Sequence, residues 1–294
     1  MLIFLAGGTG FVGGHVREAL LARGHSLRLL VHRRSLGSVE PDVEEIVGDV
    51  TRPETFEEAV AGCDATINLV GIIREFSGRG VTFQRLHVEA TGNILAAAKK
   101  GKVRRHLQMS ALGTSADSTA RYFKSKYQAE EQVRRSGLDY TIFRPSIIFG
   151  PKDDFINMLA GYMRTFPAMP VIGDGEYQLQ PISADDVARC FVDSLEKPET
   201  IGQEYDLCGP DRYTYNELLD IIGRVLGKSH VAKIRNPLSL MRLVVPFFEG
   251  FSFFPITSDQ IAMLVEGSTC DGSWRRTFHF EPVNFEAGIR SYLK

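Results

Sequence analysis

Four cysteines in 294 residues, Cys63, Cys190, Cys208 and Cys270, lie far apart and form no metal-binding pair. A reduced, cytoplasmic compartment is the simpler reading of such sparse usage. The seven histidines include no HExxH or other ligand spacing, so no metal is expected. No charge of one sign dominates either. Thirty-four basic residues against 36 acidic ones give a formal net charge of −2, which offers no electrostatic case for nucleic acid or an anionic membrane. Uninterrupted apolar runs of membrane-spanning length are missing. No basic segment precedes the apolar start, which makes Leu2 to Ala6 a strand rather than a signal peptide. Internal repeats and a disordered linker are also absent.

What remains is an ordinary globular composition, 44% hydrophobic and 24% charged, long enough for one large α/β domain or a large one with a smaller appendage. Its most informative stretch comes first. The apolar run Leu2–Ala6 breaks into Gly7-Gly8-Thr9-Gly10-Phe11-Val12-Gly13-Gly14, and helix-like sequence follows to Arg23. A buried strand, a glycine-rich turn carrying Thr9 and a helix opening at Phe11 and Val12 is the arrangement that holds a dinucleotide pyrophosphate. Gly7 permits the tight turn, Gly10 lets the backbone approach phosphate, and Gly13 lets the helix pack close to the sheet. The helix N-terminus adds free N–H groups and the positive end of its dipole.

Strand and helix then alternate. Strands are expected at 26–31, 43–47, 65–70, 106–110 and 140–143, and helices at 54–61, 83–100 and 120–135. Such alternation predicts a doubly wound parallel sheet, a Rossmann domain over residues 1–150. After Gly150-Pro151 the regularity is lost. Helices at 154–165, 184–195 and 215–226 and a strand at 204–207 suggest that 151–294 is mostly a smaller substrate-side domain interleaved with the first.

An acidic residue commonly ends the second strand of such folds and binds the ribose hydroxyls. Here the chain reads Val31-His32-Arg33-Arg34, with no carboxylate. Guanidinium groups bind a 2′-phosphate in a charge-assisted way, so NADP(H) is favoured over NAD(H), which stays possible. The alternative is that both arginines are solvated loop charges. Asp49 and Val50 end the third strand, where a carboxylate can accept the adenine amino group. Asn68 with Leu69, Val70 and Gly71 ends the fourth, where small residues leave room along the cofactor.

The catalytic candidates are Tyr122 and Lys126, four residues apart and therefore on one helix face. A phenol is a poor base at neutral pH, but an ammonium and an oxidised nicotinamide both favour the phenolate. The same tyrosine can protonate a carbonyl oxygen when hydride arrives.

The Tyr-x-x-x-Lys pair, the glycine turn, Arg144-Pro145 and Gly150-Pro151 together resemble the short-chain dehydrogenase/reductase superfamily. Asp185-Asp186-Val187-Ala188, Gly209-Pro210 and Thr214 look like later landmarks of its extended, epimerase/dehydratase-like members. Pro255-Ile256-Thr257-Ser258-Asp259-Gln260 resembles the atypical family containing the NAD(P)H-binding accessory subunit of mitochondrial complex I and its bacterial relatives. The resemblance implies Tyr122 as acid/base, Lys126 tuning it and holding the cofactor ribose, and Pro145 on the cofactor side. It also implies a hydroxyl just after the fifth strand. Ser110 is offered, although Ala111 can be the true equivalent, with Thr114 or Ser115 substituting. His87 stands where extended members often carry Asn.

Two functions follow from different classes. One is an NADP(H)-dependent oxidoreductase or epimerase/dehydratase acting on a nucleotide sugar, a carbonyl compound or a quinone- or lipid-like molecule. The other is a cofactor-loaded scaffold or assembly protein without turnover. The apolar stretch 238–254 reads as core and domain-closing surface, as a hydrophobic substrate pocket, or as a patch for a protein partner such as a membrane protein.

Overall fold

The computed structural model describes residues 1–32, 41–249 and 256–293. The chain runs β1 (Leu2–Ala6), α1 (Phe11–Ala22), β2 (Ser26–Val31), β3 (Val43–Val47), α2 (Glu57–Val60), β4 (Ala65–Asn68), α3 (Ala90–Lys100), β5 (Arg105–Met109), α4 (Arg121–Arg134) and β6 (Asp139–Pro145). It continues through β7 (Ile148–Phe149), α5 (Asp154–Thr165), β8 (Met169–Ile172), β9 (Gln178–Leu179), β10 (Ile182–Ser183), α6 (Ala184–Glu196) and β11 (Gln203–Leu207). The last elements are β12 (Tyr213–Thr214), α7 (Tyr215–Val225), β13 (Lys233–Asn236), α8 (Leu238–Phe248), α9 (Ser258–Glu266), α10 (Arg275–Phe278) and α11 (Phe285–Arg290).

The main sheet has seven strands in the order β11-β6-β5-β4-β1-β2-β3, and each pair from β3 through β6 is parallel. Parallel strands joined by helical crossovers are covered on both faces, so they carry continuous apolar runs. Ile3, Phe4, Leu5 and Ala6 are accordingly all fully buried. The chain reverses its winding between β1 and β4, the place where such sheets open a crevice beyond their carboxyl ends. Two expected helices differ. Residues 54–61 form a 3₁₀ turn at Pro53–Thr55 and then only four residues of α2. Residues 83–100 begin with a π-helical turn, Gln84–Glu89, before α3.

Two compact units emerge. The first comprises Met1–Arg144 and Val187–Asp206; the second comprises Pro145–Asp186 and Leu207–Lys294. Arg105 explains the return of the chain to the first unit: its guanidinium donates to Ser194 O (2.8 Å), Thr200 Oγ1 (2.9 Å) and Thr141 Oγ1 (2.8 Å). The second unit has its own core, built on Phe149, Leu159, Leu179, Leu218, Ile222 and Phe285. There Cys208 and Cys270 form a disulfide, which corrects the expectation of four reduced thiols; Cys63 and Cys190 are free and buried. The two half-cystines lie 62 residues apart in sequence, and folding brings their Cα atoms to 5.9 Å, a bridging distance that spacing alone does not reveal.

Candidate functional site

The glycine turn is set by sterics at two positions. Gly7 has φ +83°, and a Cβ there would meet the backbone of Leu69 and Val70 at 2.8–2.9 Å. A Cβ on Gly13 would lie 2.1 Å from Gly7 O. Gly10 differs, since a methyl group there meets only Gly7 O, at an ordinary 3.4 Å. Thr9 and Gly10 are exposed, and no side chain caps α1. Phe11 and Val12 open the helix with no side-chain hydrogen bond from its N-cap residue, Gly10. This open cradle at the end of β1 fits a pyrophosphate, with the backbone of Gly10–Gly13 as its holder.

The turn runs against the end of β4, and that segment leads to the catalytic candidates. A methyl on Gly71 would lie 3.1 Å from Lys126 Nζ and 3.7 Å from His87 Nε2. Leu69 is buried and Val70 half-buried. Val70 N–H donates to Asn68 Oδ1 (3.1 Å), which shapes the strand's exit. Lys126 is buried on α4, its Nζ 3.4 Å from Met109 O and 6.0 Å from the Tyr122 ring centre. Burial pushes its ammonium down to about 8, against the opposing field of Glu130.

Tyr122 is also buried, and desolvation raises its phenol above the usual range. Its ring packs edge-on against Phe83 (5.7 Å), His87 (5.4 Å) and Phe123 (5.4 Å). His87 comes from the π-helical turn, a feature common at functional sites. Its Nε2 accepts from Ile72 N–H (3.1 Å), so Nδ1 carries the proton and donates to Ser125 Oγ (2.8 Å). Ser125 Oγ–H then donates to Tyr122 O (2.6 Å). Burial and the neighbouring Lys126 charge hold His87 down to about 2. This relay ties the loop after β4 to the first turn of α4. The sequence marked His87, but Ser125 carried no signal beyond lying between Tyr122 and Lys126.

The remaining predicted residues are more dispersed in role. Ser110 is buried after β5, with Oγ 3.3 Å from Thr114 Oγ1, so two of the candidate hydroxyls meet; Ala111 is buried beside them. Asp49 spends Oδ1 on Thr51 N and Oγ1, both at 2.8 Å, while Oδ2 lies 3.9 Å from His32 Nδ1. Burial opposes its charge, but the Thr51 bonds, His32 and Arg85 together hold its carboxyl below the ordinary value. Val50 is half-buried, and its carbonyl accepts from Asn93 Nδ2 (2.8 Å). His32 is exposed at the end of β2; Arg33 and Arg34 lie outside the described residues. Pro145 closes β6 and belongs to the second unit. Among the described residues no cluster of His, Cys, Asp and Glu could hold a metal ion.

Comparison with known proteins identifies the family. A family model described as NAD(P)H-binding matches residues 7–198. The chain is 30% identical over 269 residues to the mitochondrial NADH dehydrogenase (ubiquinone) 1 alpha subcomplex subunit 9 of Arabidopsis thaliana, covering 87% of this chain and 66% of that protein. It thus spans just under two thirds of that relative's length. It is 26% identical over 239 residues to a ceramide reductase of Caulobacter vibrioides, covering 80% of this chain and 74% of the other. A UDP-glucose 4-epimerase from Thermotoga maritima shares the fold, with a TM-score of 0.79, 18% identity, and coverage of 100% of this chain and 97% of that one. The matched span opens on Gly7 and takes in the end of β4, the His87 turn and the Tyr122–Lys126 pair, and on that match the chain belongs to the NAD(P)H-binding family.

Proposed function

We propose that this protein is an NADPH-dependent carbonyl reductase of the short-chain type, with Tyr122 as proton donor, Lys126 as ribose holder and electrostatic partner, and Ser110 orienting the substrate oxygen. The carrying observation is the contiguity of Gly7, the Leu69–Gly71 exit, Lys126 and Tyr122 within one unit. Bound NADPH would supply hydride. The protein's part is to hold the proton: a buried phenol with raised pKa is a donor at neutral pH, not a base. No carboxylate stands directly after β2, where the sequence reads Val31-His32-Arg33-Arg34, which supports NADP(H). A reductase among the relatives favours reduction over epimerisation.

A second reading keeps the cofactor and omits turnover. It is favoured by the likeness to a respiratory-complex subunit and by a Ser110 hydroxyl already engaged by Thr114.

The test titrates NADPH and NADH against wild type and Gly10→Val. NADPH should bind about tenfold or more tightly, as a hydrogen bond to a charged group allows. Gly10→Val should stay folded, because a side chain there meets little protein, yet lose binding. NADPH oxidation is then followed with ketones, quinones and lipid-like carbonyl compounds. Tyr122→Phe should lower turnover about 10²–10⁴-fold with cofactor affinity nearly intact. Equal affinities would overturn the cofactor assignment, and a silent Tyr122→Phe would leave the scaffold.

A further inference from the structure

We propose that Thr51 and Arg85 are positioning residues that aim the Asp49 carboxylate at the 6-amino group of the cofactor's adenine, and so set the choice of base. Their role rests on Asp49, just beyond β3, being the adenine acceptor; they give its carboxylate a direction. All three lie in the first unit, and Asp49 stands at the carboxyl end of its parallel strands, where such sheets bind ligands.

The turn after β3 is fixed first through its backbone. Thr55 Oγ1 accepts from Asp49 N–H (2.9 Å), and Arg52 N–H donates to Asp49 O (2.8 Å). From α3, Asn93 Nδ2 donates to Val50 O (2.8 Å). What is left to orient is the Asp49 side chain. Its Oδ1 accepts from Thr51 N–H and from Thr51 Oγ1–H, both at 2.8 Å. A hydroxyl carries one proton, so Thr51 Oγ1 must meet any further donor with a lone pair. That donor is Arg85 Nη2, at 3.1 Å, reaching over from the π-helical turn. Arg85 Nη1 meanwhile donates to Gly80 O at 3.0 Å, which holds the guanidinium between the segments after β3 and β4. A guanidinium cannot accept, so it directs the Thr51 O–H toward Asp49.

With Oδ1 taken twice, Oδ2 has no hydrogen-bond donor among the described residues. His32 Nδ1 stands 3.9 Å away, beyond hydrogen-bond reach. An ionised carboxylate oxygen only accepts. Its partner must therefore bring a proton, as the amino group of adenine does. The ring carbonyl of hypoxanthine in the same place would face the carboxylate lone pairs instead.

Calorimetric titration of the full chain compares NADPH with its hypoxanthine counterpart, and NADH with its own. The outcome is then independent of the 2′-phosphate and of turnover. Wild type should bind the adenine form about tenfold or more tightly, as a hydrogen bond to a charged group allows. Thr51→Val, which keeps the shape and removes the hydroxyl, should lower that ratio about threefold or more. Arg85→Met, which keeps most of the stem, should lower it about threefold. Thr51→Ser keeps the hydroxyl and should keep the wild-type ratio. Unchanged melting temperatures would establish that the variants fold. Equal wild-type affinities for the two bases would overturn the proposal together with Asp49 as the adenine acceptor. A preference that survives both Thr51→Val and Arg85→Met would overturn the relay alone. So would a loss of affinity that falls equally on both bases, which is what a merely structural role produces.

Discussion

His87 and His106 are both buried and neutral, each held by a different set of partners. His106 lies on β5 with Nδ1 2.8 Å from Thr66 Oγ1 and Nε2 3.2 Å from Gln108 Oε1, which also accepts from Asn68 Nδ2 at 3.1 Å. Burial lowers His106 to about 4, despite its bond to Gln108. His87 is lowered further, to about 2, with Lys126 adding to burial. Both folded values lie below the unfolded value of 6.5, so between them the unfolded chain binds more protons. The stability from each histidine is therefore complete above pH 6.5 and is lost as the pH falls towards the folded value. At about pH 5 each should cost about 2 kcal/mol relative to neutral pH. Urea unfolding at the two pH values should show His106→Gln losing about 2 kcal/mol less than wild type across that interval. Equal losses would mean that His106 is already protonated in the fold.

At the scale of elements, α4 matters most because it carries Tyr122 and Lys126 on its inner face. A turn further along the same face, fully buried Glu130 accepts from Arg144 Nε (2.8 Å) and Nη2 (2.7 Å) on β6 and from Arg134 Nη2 (2.7 Å). Glu204 on β11 joins through Arg134 and Arg144, at 2.6 Å each. The network pins the helix to two strands. Glu130→Gln should cost about 1.5–3 kcal/mol, because it takes a charged hydrogen-bond acceptor from Arg134 and Arg144, which both keep Glu204, and denaturant unfolding would read it. It also removes a charge that supports the Lys126 ammonium, so Lys126 should titrate below its present value of about 8 in a pH-dependent amine-labelling assay. An unshifted Lys126 would mean that Glu130 is screened from it. The boundaries of α4, expected at 120–135 from the alternation of strand and helix, were legible to within a residue. The break of the expected 83–100 helix was not. A π-helical turn inserts one extra residue into the period, and here it accompanies the His87 bond to Ile72, which lies outside the helix.

At the scale of the molecule, the chain crosses between units at 144, 186 and 206. The Cys208–Cys270 bridge lies wholly in the second unit. Trp274 Nε1–H donates to Cys208 O (3.2 Å), and Gln180 takes Cys270 N–H (3.0 Å) while donating to Gly209 O (2.8 Å). A cross-link spanning 62 residues removes loop entropy from the unfolded chain worth about 4 kcal/mol. Dithiothreitol should therefore lower the stability of the second unit by about that amount, read as an earlier calorimetric transition. Cys208→Ala/Cys270→Ala should start from the lowered value and ignore the reductant. An unmoved transition in wild type would indicate that the bridge adds nothing beyond the packing around Trp274.

The alternation that makes the parallel sheet, the glycine turn and the one-face spacing of Tyr122 and Lys126 were all legible in the residues alone. Each is a local property, set by the period of a strand or helix or by the room a missing Cβ leaves. Tertiary structure decided whatever depends on partners distant in the chain. It joined residues 203–207 to the main sheet rather than to the second unit's own strands, and it paired two cysteines that spacing had left apart. It brought Gly71 beside Lys126 and chose the protonated nitrogen of His87 through Ile72 and Ser125. It also made Leu238–Phe248 a helix with one face in the core and one exposed, a division that hydrophobicity leaves open when nearly every side of the helix is apolar, while residues 250–254 of that apolar stretch lie outside the described residues.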